Sequence, residues 1–123
     1  IICWNKERIG IDIECSDRNF NYKGLAQKYF YQKSVNNSEL NKYDILKHWS
    51  AIEAAIKWDR GKLSKDIKYW QYGNYKKNIF HTKKKLTVNL NQFSFLTWTI
   101  SIAYQNDLYS PVNIICNNIL NII

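Results

Sequence analysis

The sequence predicts an α+β domain in which helices pack on one antiparallel sheet. Strand-like runs occur near the start and in the last third of the chain, and the residues between them carry apolar side chains at helical spacing. The chain has 123 residues, of which 46% are hydrophobic and 15% aromatic, enough for one domain with a real core. We assign residues 1–109 to this domain and leave the apolar, Asn-rich tail 110–123 unassigned.

The first elements are short strands. Two β-branched runs, residues 1–4 and 9–13, flank four polar residues, a pattern typical of a hairpin. In the second run the odd-numbered isoleucines share one face of the strand, while Gly10, Asp12 and Glu14 share the other.

Two helices are predicted next. The first covers Tyr22–Tyr31. The second follows N-cap candidates at residues 36–38 and ends at Gly61, with basic residues in its last turn that suit the helix dipole. Its core-facing stripe is Ile45, Trp49, Ile52 and Ile56.

Short strands make up the remainder of the domain. We predict them at residues 67–72, 78–82, 86–90 and 97–104. In the last of these, Trp98, Ile100, Ile102 and Tyr104 alternate with smaller residues, so one face is strongly apolar.

Composition narrows the class of protein. The net charge of +8 favours an anionic partner, and no apolar run is long enough to span a membrane. The three cysteines lack metal-ligand spacing and are typical of reduced side chains in a cytoplasmic protein. Because the chain begins with isoleucines and contains no Met, we expect it to be a piece of a longer protein.

Three acidic residues form a candidate metal site. Asp12 and Glu14 point to the same side of their strand, and Glu53 lies one helical turn before Lys57. If the helix packs over the strand end, three carboxylates meet beside one ammonium group. Hard oxygen ligands of this kind suit Mg²⁺, which bridges to substrate phosphates. The alternative is a solvated Glu14 and an ordinary surface pair of Glu53 with Lys57.

The same residues carry a family resemblance. Gly10-Ile11-Asp12, followed by Trp49-Ser50-Ala51-Ile52-Glu53-Ala54-Ala55-Ile56-Lys57, resembles the two signatures of the 4′-phosphopantetheinyl transferase superfamily. The helix signature is (Phe/Trp)-(Ser/Thr/Cys)-x-Lys-Glu-(Ala/Ser)-x-x-Lys, and only Ile52 departs from it. Residues 1–104 look like the C-terminal half of the surfactin-synthetase-activating type, a pseudo-dimer of two similar halves.

The resemblance implies a reaction and roles for residues. It implies transfer of 4′-phosphopantetheine from coenzyme A to a serine of an acyl or peptidyl carrier protein. Asp12, Glu14 and Glu53 would hold Mg²⁺, Glu53 and Lys57 would be catalytic, and Lys57 would neutralise phosphate charge. Lys62, which follows Gly61 where the family has a Gly-rich loop, would contact coenzyme A.

Two departures keep a second hypothesis open. Ile52 replaces a motif lysine, and the family's histidine segment and several coenzyme A-binding residues lie before the Gly-Ile-Asp strand. The chain would then need a missing N-terminal half or a homo-oligomer, or would be a catalytically inactive carrier-binding remnant.

A basic, aromatic stretch gives a third hypothesis from a different class. Lys76, Lys77 and Lys83–Lys85 surround Phe80 and His81, close to further aromatic residues, and could form a nucleic-acid surface. The simpler interpretation is a hairpin edge protected by solvated lysines, because no nucleic-acid-binding motif accompanies the charge.

Overall fold

The computed structural model describes residues 7–30, 41–72 and 77–105. Its helices are α1 (Tyr22–Tyr29), α2 (Lys42–Trp58) and the single turn α3 (Leu63–Asp66), which a 3₁₀ turn, Ile67–Tyr69, joins to the sheet. The strands are β1 (Ile9–Cys15), β2 (Trp70–Tyr72), β3 (Asn78–His81), β4 (Leu86–Phe95) and β5 (Trp98–Tyr104).

All five of these strands form one antiparallel sheet. Their spatial order is β1-β5-β4-β3-β2, so β1 reaches its neighbour from the opposite end of the chain. The α+β class with helices on an antiparallel sheet is therefore confirmed. The expected strand at residues 1–4 and the tail 110–123 lie outside the described residues.

Two strands differ from their predicted bounds by three residues or more, whereas the other three differ by one or two. Residues 67–69 form a 3₁₀ turn, because β3 ends at His81, which pairs with Trp70, and no residue of β3 lies opposite them. β4 continues to Phe95, because β5 pairs with it along its whole length. Polar residues in this extension hid the strand from the sequence pattern.

Helix α2 begins and ends at residues that satisfy its free backbone groups. The side chain of Asn41 accepts a hydrogen bond from the backbone N–H of Asp44, at 2.9 Å, and caps the N-terminus. The chain leaves the helix through Arg60, which has a left-handed φ of 56°, and Gly61 N–H donates back to Ile56. The N-cap candidates at residues 36–38 lie outside the described residues.

Helix α2 packs on the face of β1 that carries Gly10, Asp12 and Glu14. A Cβ atom at Gly10 would lie 2.0 Å from the backbone oxygen of Ala54, so only glycine allows this approach. The contact layer is made of small residues that are fully buried; these are Ala51, Ala54, Ala55 and Ala103. Larger residues continue the core toward β2 and β3; these include Ile52, Ile56, Trp70, Ile79, Val88 and Leu90.

Candidate functional site

Strand β1 carries two buried carboxylates toward α2. Asp12 is 5% exposed and Glu14 is 7% exposed, and they lie opposite Ser101 and Thr99 of β5. They share a face because side chains alternate along a strand, as the sequence predicts. Burying an acid costs free energy unless a partner compensates it, so such a pair on one buried face calls for a cation nearby.

The close packing of α2 on Gly10 brings that cation to β1. Lys57 Nζ lies 2.7 Å from Asp12 Oδ1 and 3.7 Å from Glu53 Oε2. The lysine side chain is half-exposed, whereas Glu53 is largely covered. Lys57, Asp12 and Glu53 thus form one cluster, the carboxylate cluster, at the contact of α2 with β1. Glu14 lies beside this cluster and interacts with Glu53 electrostatically.

Electrostatics inside the cluster favour a neutral Glu53. Burial, followed by repulsion from Asp12, raises the pKa of Glu53 to about 7. Asp12 Oδ2 is buried and accepts no hydrogen bond from the described groups, and a protonated Glu53 can donate to the Asp12 carboxylate. Burial alone would lower the pKa of Lys57, but its contacts with Asp12 and Glu53 raise it overall, so this group stays charged.

Glu14 faces a wider space beside the cluster. Burial raises its pKa, while Arg18, whose guanidinium lies 3.2 Å from Glu14 Oε2, opposes that shift. A groove of about 600 Å³ opens here between α1, α2 and the end of β1. Its lining combines acids, bases and aromatic rings: Glu14, Arg18, Phe20, Asn21, Gly24, Leu25, Lys28, Tyr29, Trp49 and Glu53.

The groove has basic residues that the sequence did not single out. Arg18 and Lys28 line the groove together with two of the acids. Neither belongs to a periodic pattern or a motif, since Arg18 lies in the loop after β1 and Lys28 on the exposed side of a short helix. Only the Glu14–Arg18 spacing of four residues offered a signal, and outside a helix that spacing does not imply contact.

The predicted metal ligands lie together but do not form a closed cage. Asp12, Glu14 and Glu53 all face the junction of β1 with α2. Among residues 7–30, 41–72 and 77–105, however, no three acidic, His or Cys side chains meet in an arrangement that could hold a metal ion. The chemistry of the donors, though not their arrangement, suits Mg²⁺, because carboxylate oxygens are hard ligands and Asp12 Oδ2 is buried without a hydrogen bond from a described group.

Two further positions of the motif resemblance, Ile52 and Lys62, add no charged group to the carboxylate cluster. Ile52, at the place of the motif lysine, is 2% exposed and belongs to the core, so no cation stands there. Lys62 is exposed and is the N-cap residue of α3, and its backbone N–H donates to Asp66 Oδ2 at 2.7 Å. Among the described side chains, no hydrogen bond or ion pair joins Lys62 to the carboxylate cluster.

Two rings of the basic, aromatic stretch lie inside the fold, whereas Tyr69 and Phe80 are partly exposed. His81 is 1% exposed and Trp70 is 2% exposed, and their rings lie edge to face. Lys77 and Lys83–Lys85 are exposed, whereas Lys76 lies outside the described residues. Because these two rings are buried, they offer no stacking surface for bases beside the lysines.

Comparisons with known proteins identify no relative of this chain. No family model, no curated protein and no solved structure matches the chain. None of the described helices has the length and apolar character needed to cross a membrane.

Proposed function

We propose that this chain takes part in Mg²⁺-dependent transfer of the 4′-phosphopantetheine group from coenzyme A to a serine of an acyl or peptidyl carrier protein. The observation that carries the proposal is the cluster of Asp12, Glu53 and Lys57, which are brought together from β1 and α2. The motif resemblance names these three residues for the same chemistry. Catalysis of phosphoryl-type transfer depends chiefly on positioning and on charge neutralisation, which such a cluster provides.

The acidic and basic residues of the site would have different roles in the transfer. Asp12, Glu14 and Glu53 would hold Mg²⁺, which supplies charge neutralisation on the pyrophosphate when bound. Lys57, half-exposed and charged, would reach the transferred phosphate from the solvent side. Arg18 and Lys28 would attract the remaining phosphate charge to the groove.

Glu53 would accept the proton of the attacking serine. Its pKa of about 7 is that of the metal-free cluster, and a bound cation would lower this pKa, so Glu53 would be unprotonated and able to accept the proton. The serine oxygen would bond to the β-phosphorus of coenzyme A while the bond from that phosphorus to the departing oxygen breaks. The products would be the modified carrier protein and 3′,5′-ADP.

The overall charge agrees with an acidic partner. Carrier proteins of this kind are acidic, and a chain with a net charge of +8 would steer their approach. The buried Ile52 favours the second hypothesis, an inactive carrier-binding remnant, because the phosphate site lacks one cation of the motif.

The test is transfer of labelled phosphopantetheine from coenzyme A to an apo carrier protein. We would run it on this chain and on a longer form with residues upstream of Ile1, each with Mg²⁺ and with chelator. Glu53→Gln should remove at least 99% of the transfer, whereas Glu7→Gln, an exposed control, should retain it. No transfer by either form, with carrier binding retained, would support the remnant instead.

A further inference from the structure

Two segments of the chain meet beside the C-terminus of α2 and bring their basic side chains close together. The first is residues 59–69, which run from α2 through α3 to the 3₁₀ turn, and the second is the turn 82–85 between β3 and β4. Lys84 forms an ion pair with Asp59, and Thr82 N–H donates to the backbone oxygen of Tyr69 at 2.8 Å. We call the basic side chains of both segments the lysine patch; they are Arg60, Lys62, Lys65, Lys68, Lys83, Lys84 and Lys85.

The ring of Tyr69 lies where the two segments meet. On one face it stacks on the buried ring of His81, with 5.5 Å between the centroids. Lys68 Nζ lies 5.1 Å from the centroid of the Tyr69 ring, and Lys83 Nζ lies 5.7 Å from it. Each segment therefore contributes an ammonium group to the surroundings of this one ring.

The lysine patch carries a large part of the net charge of the chain. All seven of its basic side chains are exposed. The two segments contain two acids, and both have partners within the segments: Asp59 pairs with Lys84, and Asp66 Oδ2 accepts the backbone N–H of Lys62 at 2.7 Å. Seven positive and two negative charges leave +5, of the +8 of the whole chain. Such an excess of one sign on neighbouring segments favours an anionic partner.

Protection of a sheet edge does not explain the lysines of the turn 82–85. The strand order β1-β5-β4-β3-β2 gives both β3 and β4 a paired neighbour on each side. The turn therefore joins two interior strands, where there are no free edge groups to shield from other chains. Like charges this close repel one another, and a bound anion would relieve that repulsion.

We propose that the lysine patch binds the phosphodiester backbone of nucleic acid without reading base sequence. Lysine ammonium groups act as flexible point charges toward phosphates, and such contacts carry no sequence information. The rings nearby offer no platform for bases. Trp70 is 2% exposed, Tyr69 has His81 against one face of its ring, and Phe80 points to the opposite face of the sheet from His81.

An acidic protein or a membrane fits this surface less well. Protein interfaces have an apolar centre and few lysines, whereas the only exposed large apolar side chain of these two fully described segments is Leu63. A membrane surface would engage basic and apolar groups together. The exposed Phe95 and Trp98, however, lie at the far end of β4, about 30 Å from the turn 82–85. The proposal is independent of the transfer reaction, because no residue of the carboxylate cluster belongs to the lysine patch.

Fluorescence anisotropy with a labelled RNA strand tests the proposal. The logarithm of the binding constant should fall linearly with the logarithm of KCl concentration, with a slope of about −3 if four or five phosphates are contacted. Lys68→Gln combined with Lys83→Gln should weaken binding about tenfold and reduce the slope by about 1.4. Lys23→Gln combined with Lys47→Gln removes the same charge from α1 and the first half of α2 and should change the slope little. Equal losses from the two pairs would show that only net charge matters and would overturn the proposal.

Lysine acetylation read by mass spectrometry tests the same surface without substitutions. RNA should protect Lys65, Lys68 and Lys83 from the reagent and leave Lys23 reactive. Even protection of all four, or none, would contradict the patch. Equally strong protection by polyglutamate or by phosphatidylserine vesicles at the same salt concentration would identify an acidic protein or a membrane as the partner instead. Displacement of the RNA by excess coenzyme A would assign the patch to the transfer reaction and would likewise overturn the proposal.

Discussion

Lys57 Nζ lies 2.7 Å from Asp12 Oδ1 and joins residues that are 45 positions apart in the chain. The acid is buried, whereas the lysine is half-exposed, so the pair lies at the boundary between core and solvent. Asp12 has this cation as its only ion-pair partner among the described residues. Lys57 therefore compensates the buried Asp12 carboxylate, and the pair links α2 to β1.

Removing Lys57 should destabilise the fold by leaving a buried carboxylate without its cation. We expect Lys57→Met to lower the free energy of unfolding by about 1–3 kcal/mol, a range reduced from that of fully buried pairs because the lysine is half-exposed. Urea denaturation at pH 7 measures the change. Lys23→Met, at an exposed position of α1, is the control, and adding Asp12→Asn to Lys57→Met should recover much of the loss. Equal stability of Lys57→Met and Lys23→Met would contradict the ion pair.

Glu53 should make stability fall as pH rises. Its pKa is 4.5 in the unfolded chain and about 7 in the fold, so between these values the folded state holds a proton that the unfolded state has lost. Relative to Glu53→Gln, the native protein should lose up to about 3 kcal/mol between pH 4.5 and 7 and no more above that range. Urea titrations of both proteins across this range measure the difference. A difference that does not vary with pH would contradict the raised pKa.

Gly10 should tolerate no side chain. A Cβ atom there would lie 2.0 Å from Ala54 O and 2.4 Å from Trp58 N, both backbone atoms, so α2 would have to move away from β1. We expect Gly10→Ala to cost about 2–4 kcal/mol and to weaken Mg²⁺ binding, because Glu53 would move with the helix. Thermal denaturation and Mg²⁺ titration are the measurements.

Gly24→Ala is the matched control for this prediction. Its Cβ atom would lie 2.7 Å from the side chain of Asn21, the N-cap of α1, which can rotate away at the cost of its hydrogen bond from Gly24 N–H. Alanine, which favours a helix over glycine, offsets that cost. The stability of Gly24→Ala should therefore change by less than about 1 kcal/mol. A Gly10→Ala protein as stable as Gly24→Ala would show that α2 does not need this close approach.

His81 should make the protein sensitive to acid. Burial lowers its pKa below 6.5, and the backbone N–H of Lys84 donates to its Nδ1 at 3.1 Å, which fits a neutral ring. Below pH 6.5 the unfolded chain gains a proton that the folded state resists, so stability falls as pH falls from this value. His81→Phe should flatten this part of the stability curve, measured by urea denaturation from pH 5 to 7. An unchanged slope would contradict a buried neutral histidine.

Local patterns predicted much of the fold because they reflect the geometry of single elements. The apolar stripe of α2 and the alternation in β1 each follow from the fixed repeat of a helix or strand. The extension of β4 was not predicted, because contacts with other elements, and not its own apolar pattern, hold it in the sheet. Gln92 interrupts the apolar pattern, but its side chain bonds to Ser101, Tyr72 and the backbone oxygen of Lys47, partners remote in sequence.

The sequence alone determined which residues share a face and which carboxylates could meet. Tertiary structure decided which face the helix covers: α2 packs on Gly10 and Asp12 and leaves the isoleucines for the other side. It also decided the ionisation of Glu53, whose raised pKa comes from burial and from a strand residue far away in the chain. Periodicity acts along one element, whereas close approach and charge repulsion act between elements, so only the folded chain fixes them.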